Sequence, residues 1–370
     1  MHLELDEDLA LLREGARAFA TARVRPGSRA WEEARAIDPA VLDEGWALGF
    51  AALGVGPSLG GAAPTDDVVP SALLGAVVTE ELAWADLGFA LACLSPMHVV
   101  VPLAMSGDRA LAVSLLPRLL GERLPAATGA WVEPTLAYDP WAIGASASAT
   151  PGGPAITGKK TLVPRADVAA LTLIAARRGT GGGAEQNRVF LSEERASGAT
   201  ACDVIAPRAV GTFDVGYRGA SVREIGKGGE AWYSALAERL LVGTAAAAVG
   251  VGRAATEYAA EYAKERRAFG RAIAQNQSIA FMLAESAMDI EAARWLTWKA
   301  AWKIDRARDT GDGARREASR AARFATAAAF RAADSCVQIL GGHGVIRDHL
   351  AELFFRNART LARTPGWFIV

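Results

Sequence analysis

The spacing of apolar residues changes twice along this chain, and that change limits the fold more than any other feature. From Glu7 to about Leu119 apolar side chains recur at three and four positions, as in Leu9, Leu11, Leu12, Ala16, Phe19 and Ala20 and again in Val78, Leu82, Leu87 and Leu91. That is the repeat of amphipathic helices. Between about Leu124 and Lys227 the pattern becomes short β-branched runs divided by glycine and proline, among them Ala155-Ile156-Thr157, Leu171-Thr172-Leu173-Ile174 and Arg188-Val189-Phe190-Leu191. These read as strands and hairpins. After Gly228-Gly229 the helical repeat returns and holds almost to the end. The expected fold class is α+β, mainly helical: a helical domain over 1–120, a compact antiparallel β-domain over 121–228 and a four-helix domain over 229–370.

Two local features fit that frame. Trp295, Trp298 and Trp302 fall on one face of one helix, expected to lie in the bundle core. The glycine run from Gly179 to Gly183 precedes no Lys-Ser/Thr pair and opens no helix, so it is expected to be an exposed hairpin loop rather than a phosphate cradle.

Charge and cysteine content narrow the function classes. With 40 Lys+Arg against 41 Asp+Glu, the chain has no basic excess to condense on nucleic acid or an anionic membrane. Cys93, Cys202 and Cys336 lie more than 100 residues apart, which is no disulfide framework and suggests a reducing compartment. The acidic start lacks a secretory n-region and h-region, and the Ala-rich stretch from Leu240 to Ala255 is interrupted by glycines and Arg253. A soluble cytoplasmic protein is expected, with no membrane span. Only His2, His98, His343 and His349 are present, at spacings that suit neither a metal site nor a Ser-His-Asp triad.

Two segments near the C-terminal end carry chemistry. The first is Lys264-Glu265-Arg266-Arg267-Ala268-Phe269-Gly270, followed by Ala274-Gln275-Asn276-Gln277. The second is Gln338-Ile339-Leu340-Gly341-Gly342-His343-Gly344, followed by Arg356-Asn357-Ala358-Arg359. Arginines clustered at a helix break can hold a phosphate, and a Gly-Gly-x-Gly turn exposes backbone N–H groups that can do the same. The glycine run is no dinucleotide fingerprint, since it follows a helical pattern and has no βαβ unit.

Together, at this spacing and in this layout, these segments resemble the acyl-CoA dehydrogenase family over essentially the whole chain. The support comes from the ERxxFG-like Glu265 to Gly270, the QxxGGxG of Gln338 to Gly344, the Pro57 to Gly61 loop and a degenerate TEPxxGSD at Val132 to Asp139. The resemblance implies FAD held between subunits, with Arg266, Phe269, Gln338, Gly341 and Gly342 toward its adenosine diphosphate half, Trp131 and Val132 toward its ring, and Gln277 also among the cofactor-binding residues. It implies a substrate that is an acyl-CoA or acyl-carrier thioester, which loses an α-proton to a carboxylate and a β-hydride to the flavin. Electron-transfer flavoprotein is the onward acceptor so implied.

Where many members carry the base, this chain has Pro365. A minority carry it on the first long helix of the C-terminal domain, where Glu238 stands, next to Arg239, which the resemblance places near the acyl-CoA. A solvated helix glutamate paired with an arginine is the alternative for Glu238. One helix over about 231–264 puts Glu238 and Arg266 roughly 40 Å apart, too far for one compact site within one chain. An oligomer follows, a homodimer or homotetramer, with Gly243, Gly250 and Gly252 permitting close helix approach, between subunits or inside one. The ring half departs from the family: Val132 and Tyr138 replace small hydroxyl residues, and Leu162-Val163-Pro164 replaces a Trp-Ile-Thr segment. Two alternatives accommodate this, a subunit of a hetero-oligomeric dehydrogenase and a family-fold protein that is non-catalytic or a flavin monooxygenase.

Overall fold

The computed structural model describes residues 5–66, 68–135, 139–179, 184–196, 198–226, 229–310 and 313–370. Seven helices come first: α1 (Glu7–Phe19), α2 (Ser28–Ala34), α3 (Pro39–Ala47), α4 (Ala72–Ala85), α5 (Leu87–Leu94), α6 (Met97–Met105) and α7 (Arg109–Leu119). Side-chain caps start several of them. Asp6, Asp38, Ser71, Asp86 and Asp108 each accept a backbone N–H of the first turn, supplying partners for donors that the helix leaves free.

The strands are β1 (Ala127–Ala130), β2 (Ser146–Thr150), β3 (Gly153–Pro164), β4 (Leu171–Arg178), β5 (Asn187–Ser192), β6 (Thr200–Ala201), β7 (Thr212–Ser221) and β8 (Arg223–Ile225). They form one sheet in the order β6-β7-β3-β2-β4-β5-β8, with β1 paired to β4. The sheet is mixed, not antiparallel as the hairpin signals suggest. Both β1 and β2 run parallel to β4, along Leu171–Ile174 and Arg177–Arg178 respectively. They lie end to end along one neighbour, and the chain leaves the sheet after Ala130 and rejoins it at Ser146. Alternating short runs carry no mark of such an excursion. Of the glycine run, only Gly179 lies within the described residues; it stands just beyond β4.

The last region contains α8 (Gly229–Glu265), a two-residue pair β9 (Arg267–Ala268) and β10 (Arg271–Ala272), then α9 (Gln277–Thr310), α10 (Arg315–Leu340) and α11 (Ala351–Leu361). Helix α8 is the axis of the molecule. Its apolar stretch is long enough to cross a membrane, but 94% of that window is buried inside the fold. The close approaches that its glycines permit are within this chain. A Cβ at Gly250 would sit 2.4 Å from the Glu80 carbonyl oxygen on α4, and one at Gly252 2.2 Å from Ile290 on α9.

The α4, α8 and α9 contact also buries charge: Arg253 pairs with Glu80 at 2.9 Å and Glu81 at 2.7 Å, and Arg294 pairs with Glu80 at 2.9 Å. The tryptophan stripe on α9 is only partly core. Trp298 is buried, Trp295 half-buried and Trp302 37% exposed, because the face turns outward toward the end of the helix.

Candidate flavin-binding face and buried cavity

The two ends of α8 hold the two groups of residues that the sequence singled out. At its C-terminal end the chain turns through Phe269 and Gly270, with φ of 53° and 81°. Two successive positive φ values suit the twist of a tight hairpin. A phenylalanine there is unusual, since a bulky side chain is disfavoured in the left-handed region. Phe269 is also fully exposed.

Across from the hairpin, α10 ends at Gly341, φ 59°, and the following turn is pinned by a 2.9 Å hydrogen bond between the Tyr262 hydroxyl and His343 Nδ1. A shallow cleft of about 490 Å³ runs between them, lined by Arg266, Phe269, Asn276, Gly341, Gly342 and His343 among others. Gln277 and Gln338 are exposed, each one residue along from a lining residue. A free arginine, an aromatic face and glycine backbone are groups that can receive a phosphate and a purine.

Near the other end Glu238 and Arg239 are buried in the lining of a partly open cavity. A cavity of about 990 Å³ opens between the start of α4, the α6–α7 turn, α8 and α9, lined among others by Met105, Arg109, Ser234, Glu238, Arg239 and Asp305. Glu238 is 5% exposed. Its Oε2 accepts the Ala314 N–H at 3.0 Å, at the start of α10. Burial raises the Glu238 pKa, partly offset by the N–H groups of Ala314 and Arg315. Arg239 is 2% exposed and donates to the carbonyl oxygens of Val370 at 2.6 Å and Pro70 at 2.8 Å. It therefore fastens two chain segments. Asp305 accepts Ser71 Oγ at 2.8 Å and the N–H groups of Ala72 and Leu73, anchoring the start of α4.

Trp131 and Val132 follow β1 directly and are both buried. Trp131 is 1% exposed and donates its indole N–H to His98 Nδ1 at 2.9 Å. That leaves His98 Nε2 to donate to the Trp367 carbonyl oxygen, also at 2.9 Å. Burial pushes the His98 pKa down to about 4, so the ring is neutral at pH 7 and its tautomer is set by these partners. Gly129 makes the arrangement possible, since a Cβ there would stand 2.6 Å from both His98 and Trp131. Val132 is buried, and its carbonyl oxygen accepts the Thr161 N–H at 2.9 Å. Tyr138 lies outside the described residues.

Glu133, which the sequence offered only as a letter of a motif, organises this segment. It accepts N–H groups from Gly144 at 2.6 Å and Ala145 at 2.9 Å and pairs with buried Lys160 at 2.7 Å. Burial pushes the Lys160 pKa down to about 8. Burial would raise that of Glu133, but the Lys160 charge and the two N–H groups outweigh it and hold it below the usual value. Lys160 lies on β3, 27 residues along the chain from Glu133, and no local sequence pattern marks the two as partners.

The last four residues fill the space against these groups. Trp367, Phe368, Ile369 and Val370 are 1–3% exposed, and each such burial contributes about 1.5–3 kcal/mol. The Trp367 indole N–H donates to the Leu162 carbonyl oxygen at 2.9 Å. Gly243 and Gly75 form notches for the segment: a Cβ at Gly243 would meet the Phe368 oxygen at 2.6 Å, and one at Gly75 would meet Val370 at 2.8 Å. The exposed cleft therefore fits the adenosine diphosphate half of a flavin. The ring does not fit between Trp131, Val132 and Leu162, where protein already stands.

Comparison with known proteins settles the class. Residues 6–123 match the acyl-CoA dehydrogenase N-terminal domain and residues 231–366 the acyl-CoA dehydrogenase C-terminal domain. Benzylmalonyl-CoA dehydrogenase of Aromatoleum aromaticum is 30% identical, over 97% of this chain and 94% of that protein. The chain belongs to the acyl-CoA dehydrogenase family. Among solved structures, butyryl-CoA dehydrogenase from Megasphaera elsdenii superposes with a TM-score of 0.86 at 25% identity, covering 99% of this chain and 96% of that one. PigA, solved as its FAD complex, superposes with a TM-score of 0.83 at 22% identity over 99% of this chain and 96% of its own.

Proposed function

We propose that this chain is a subunit of an FAD-dependent dehydrogenase acting on acyl thioesters, and that it lends the assembly the face that receives the adenosine diphosphate half of the flavin. The observation that carries this reading is the cleft at the end of α8, where Arg266, fully exposed Phe269 and Gly341–Gly342 come together. An exposed aromatic on a left-handed turn contributes nothing to folding, and such local strain collects at binding sites. Family membership supports the chemistry, an acyl-CoA or acyl-carrier thioester losing hydrogen across its α and β carbons, with electron-transfer flavoprotein as onward acceptor. The neighbour across the cleft, which would hold the flavin ring, is a sister subunit of a hetero-oligomer; a second copy of this chain, in a homodimer or homotetramer, belongs to the second reading, in which the chain's own cavity is active.

A second reading is favoured by the cavity. Glu238 lies on its wall, and burial raises its pKa above the ordinary carboxylate value, which makes it a stronger base than an exposed glutamate. In that reading Glu238 takes the α-proton of a thioester bound in the cavity. One experiment separates the two: flavin reduction by the assembled protein across a panel of acyl thioesters, before and after Glu238→Gln. Glutamine keeps an oxygen for the Ala314 N–H but has no basicity. The subunit reading expects reduction within about twofold of the parent. A fall of roughly 10²–10⁴-fold would establish Glu238 as the base, and reduction by no thioester would end both readings.

A further inference from the structure

We infer that the segment Trp367–Val370 is a built-in stopper of the ring cleft, so that this chain offers a flavin its adenosine diphosphate face while having no ring site of its own. The inference rests on the subunit reading above and deepens it. Three independent features of the chain converge on it. The segment touches the positions assigned to the ring: the Trp367 indole bonds to the Leu162 backbone, and its carbonyl oxygen is tied through neutral His98 to Trp131. The segment is also seated in matching hollows, since Gly75 and Gly243 leave no room for a Cβ beneath Val370 and Phe368. Finally, the groups around it are spoken for by it: Arg239, fully buried, gives one arm of its guanidinium to Val370.

The loss of polar groups from the ring side agrees. By the resemblance, Val132, Leu162 and Pro164 stand where the family carries hydroxyl and aromatic flavin contacts, and an apolar lining suits an apolar plug better than the polar edge of an isoalloxazine. A loose tail over a cofactor site would show exposed side chains and unpaired backbone. Here every residue from Trp367 to Val370 is core.

Hydrogen exchange on the full chain, with and without FAD, tests this together with the visible circular dichroism of added FAD and of riboflavin, which has the ring without the adenosine diphosphate. The stopper predicts that amides of 366–370 exchange as slowly as those of α8, that saturating FAD changes them less than twofold, and that neither flavin acquires visible dichroism. Loss of tail protection on adding FAD, or induced dichroism with the unaltered chain, would overturn it by showing a displaceable segment or an open ring site. Deleting 365–370 is expected to speed exchange at least tenfold in 127–132 and 160–164 while α10 stays protected. Unchanged exchange there would also overturn it. If α10 loses protection too, Trp367→Ala is read the same way. The subunit reading is judged separately, by flavin reduction in the assembly, so either can fail alone.

Discussion

The two ends of α8 treat their residues in opposite ways. At Arg266 and Phe269 the side chains are exposed and one backbone position is held in a disfavoured conformation. At Glu238 and Arg239 both side chains are buried, and their hydrogen bonds hold the start of α10, the Pro70 carbonyl and the end of the chain. An exposed group that does nothing for the fold is available to a ligand. A buried group whose partners are all internal is chiefly answerable to folding. Position in a family motif does not distinguish these cases, whereas the partner of each polar atom does.

The largest expected effect breaks the buried end. Trp367→Ala removes a fully buried indole and should lower unfolding free energy by about 3–5 kcal/mol, read from the urea midpoint at unchanged slope. A loss under about 1 kcal/mol would mean that the segment is not packed as described.

A somewhat smaller effect comes from acid. His98 has a folded pKa of about 4 against the ordinary histidine value of 6.5, so the unfolded chain binds its proton first as pH falls. The stability held by neutral His98 is fully present above about 6.5 and is lost progressively down to about 4, on the order of 3 kcal/mol in all. Asp86 acts with the opposite sign. Burial raises its pKa to about 6, so its contribution is present below the ordinary carboxylate value and is lost as pH rises through 6. Comparing urea titrations across this range with those of His98→Gln isolates the histidine component, and identical slopes against pH would remove it.

The smallest effect belongs to the exposed end. Phe269→Ala should leave stability within about 0.5 kcal/mol yet lower flavin retention by the assembled protein at least tenfold. Unchanged retention would return the hairpin to ordinary surface.

Much of the layout was legible in sequence because hydrophobic period reports which face of an element is buried. The helical start, the strand-rich middle and the long helix through Glu238 could be read that way. The Arg266 and Gly341 segments were legible as a pair because backbone-exposing glycine and clustered arginine have few uses together. The parallel pairing of β1 and β2 along β4 was not, since strand partners lie outside any local window. Nor was the Glu133–Lys160 pair, whose members are far apart in sequence. The end of the chain gave least warning. Thr364-Pro365-Gly366-Trp367-Phe368-Ile369-Val370 is too short to show a period, and its role depends on hollows at Gly75 and Gly243 far away in the chain.

The buried charges joining α4, α8 and α9 have a mechanical consequence. Arg253 holds both Glu80 and Glu81, and Arg294 shares Glu80. Sliding α4 along α8 by one turn, about 5.4 Å, would strand carboxylates and guanidinium groups in a low-dielectric contact without partners, a strongly unfavourable state. The three helices therefore behave as a keyed shaft. The cavity wall that begins at Pro70 and Ser71 and ends on α8 has a set width, and a molecule entering it meets a gauge rather than a glove.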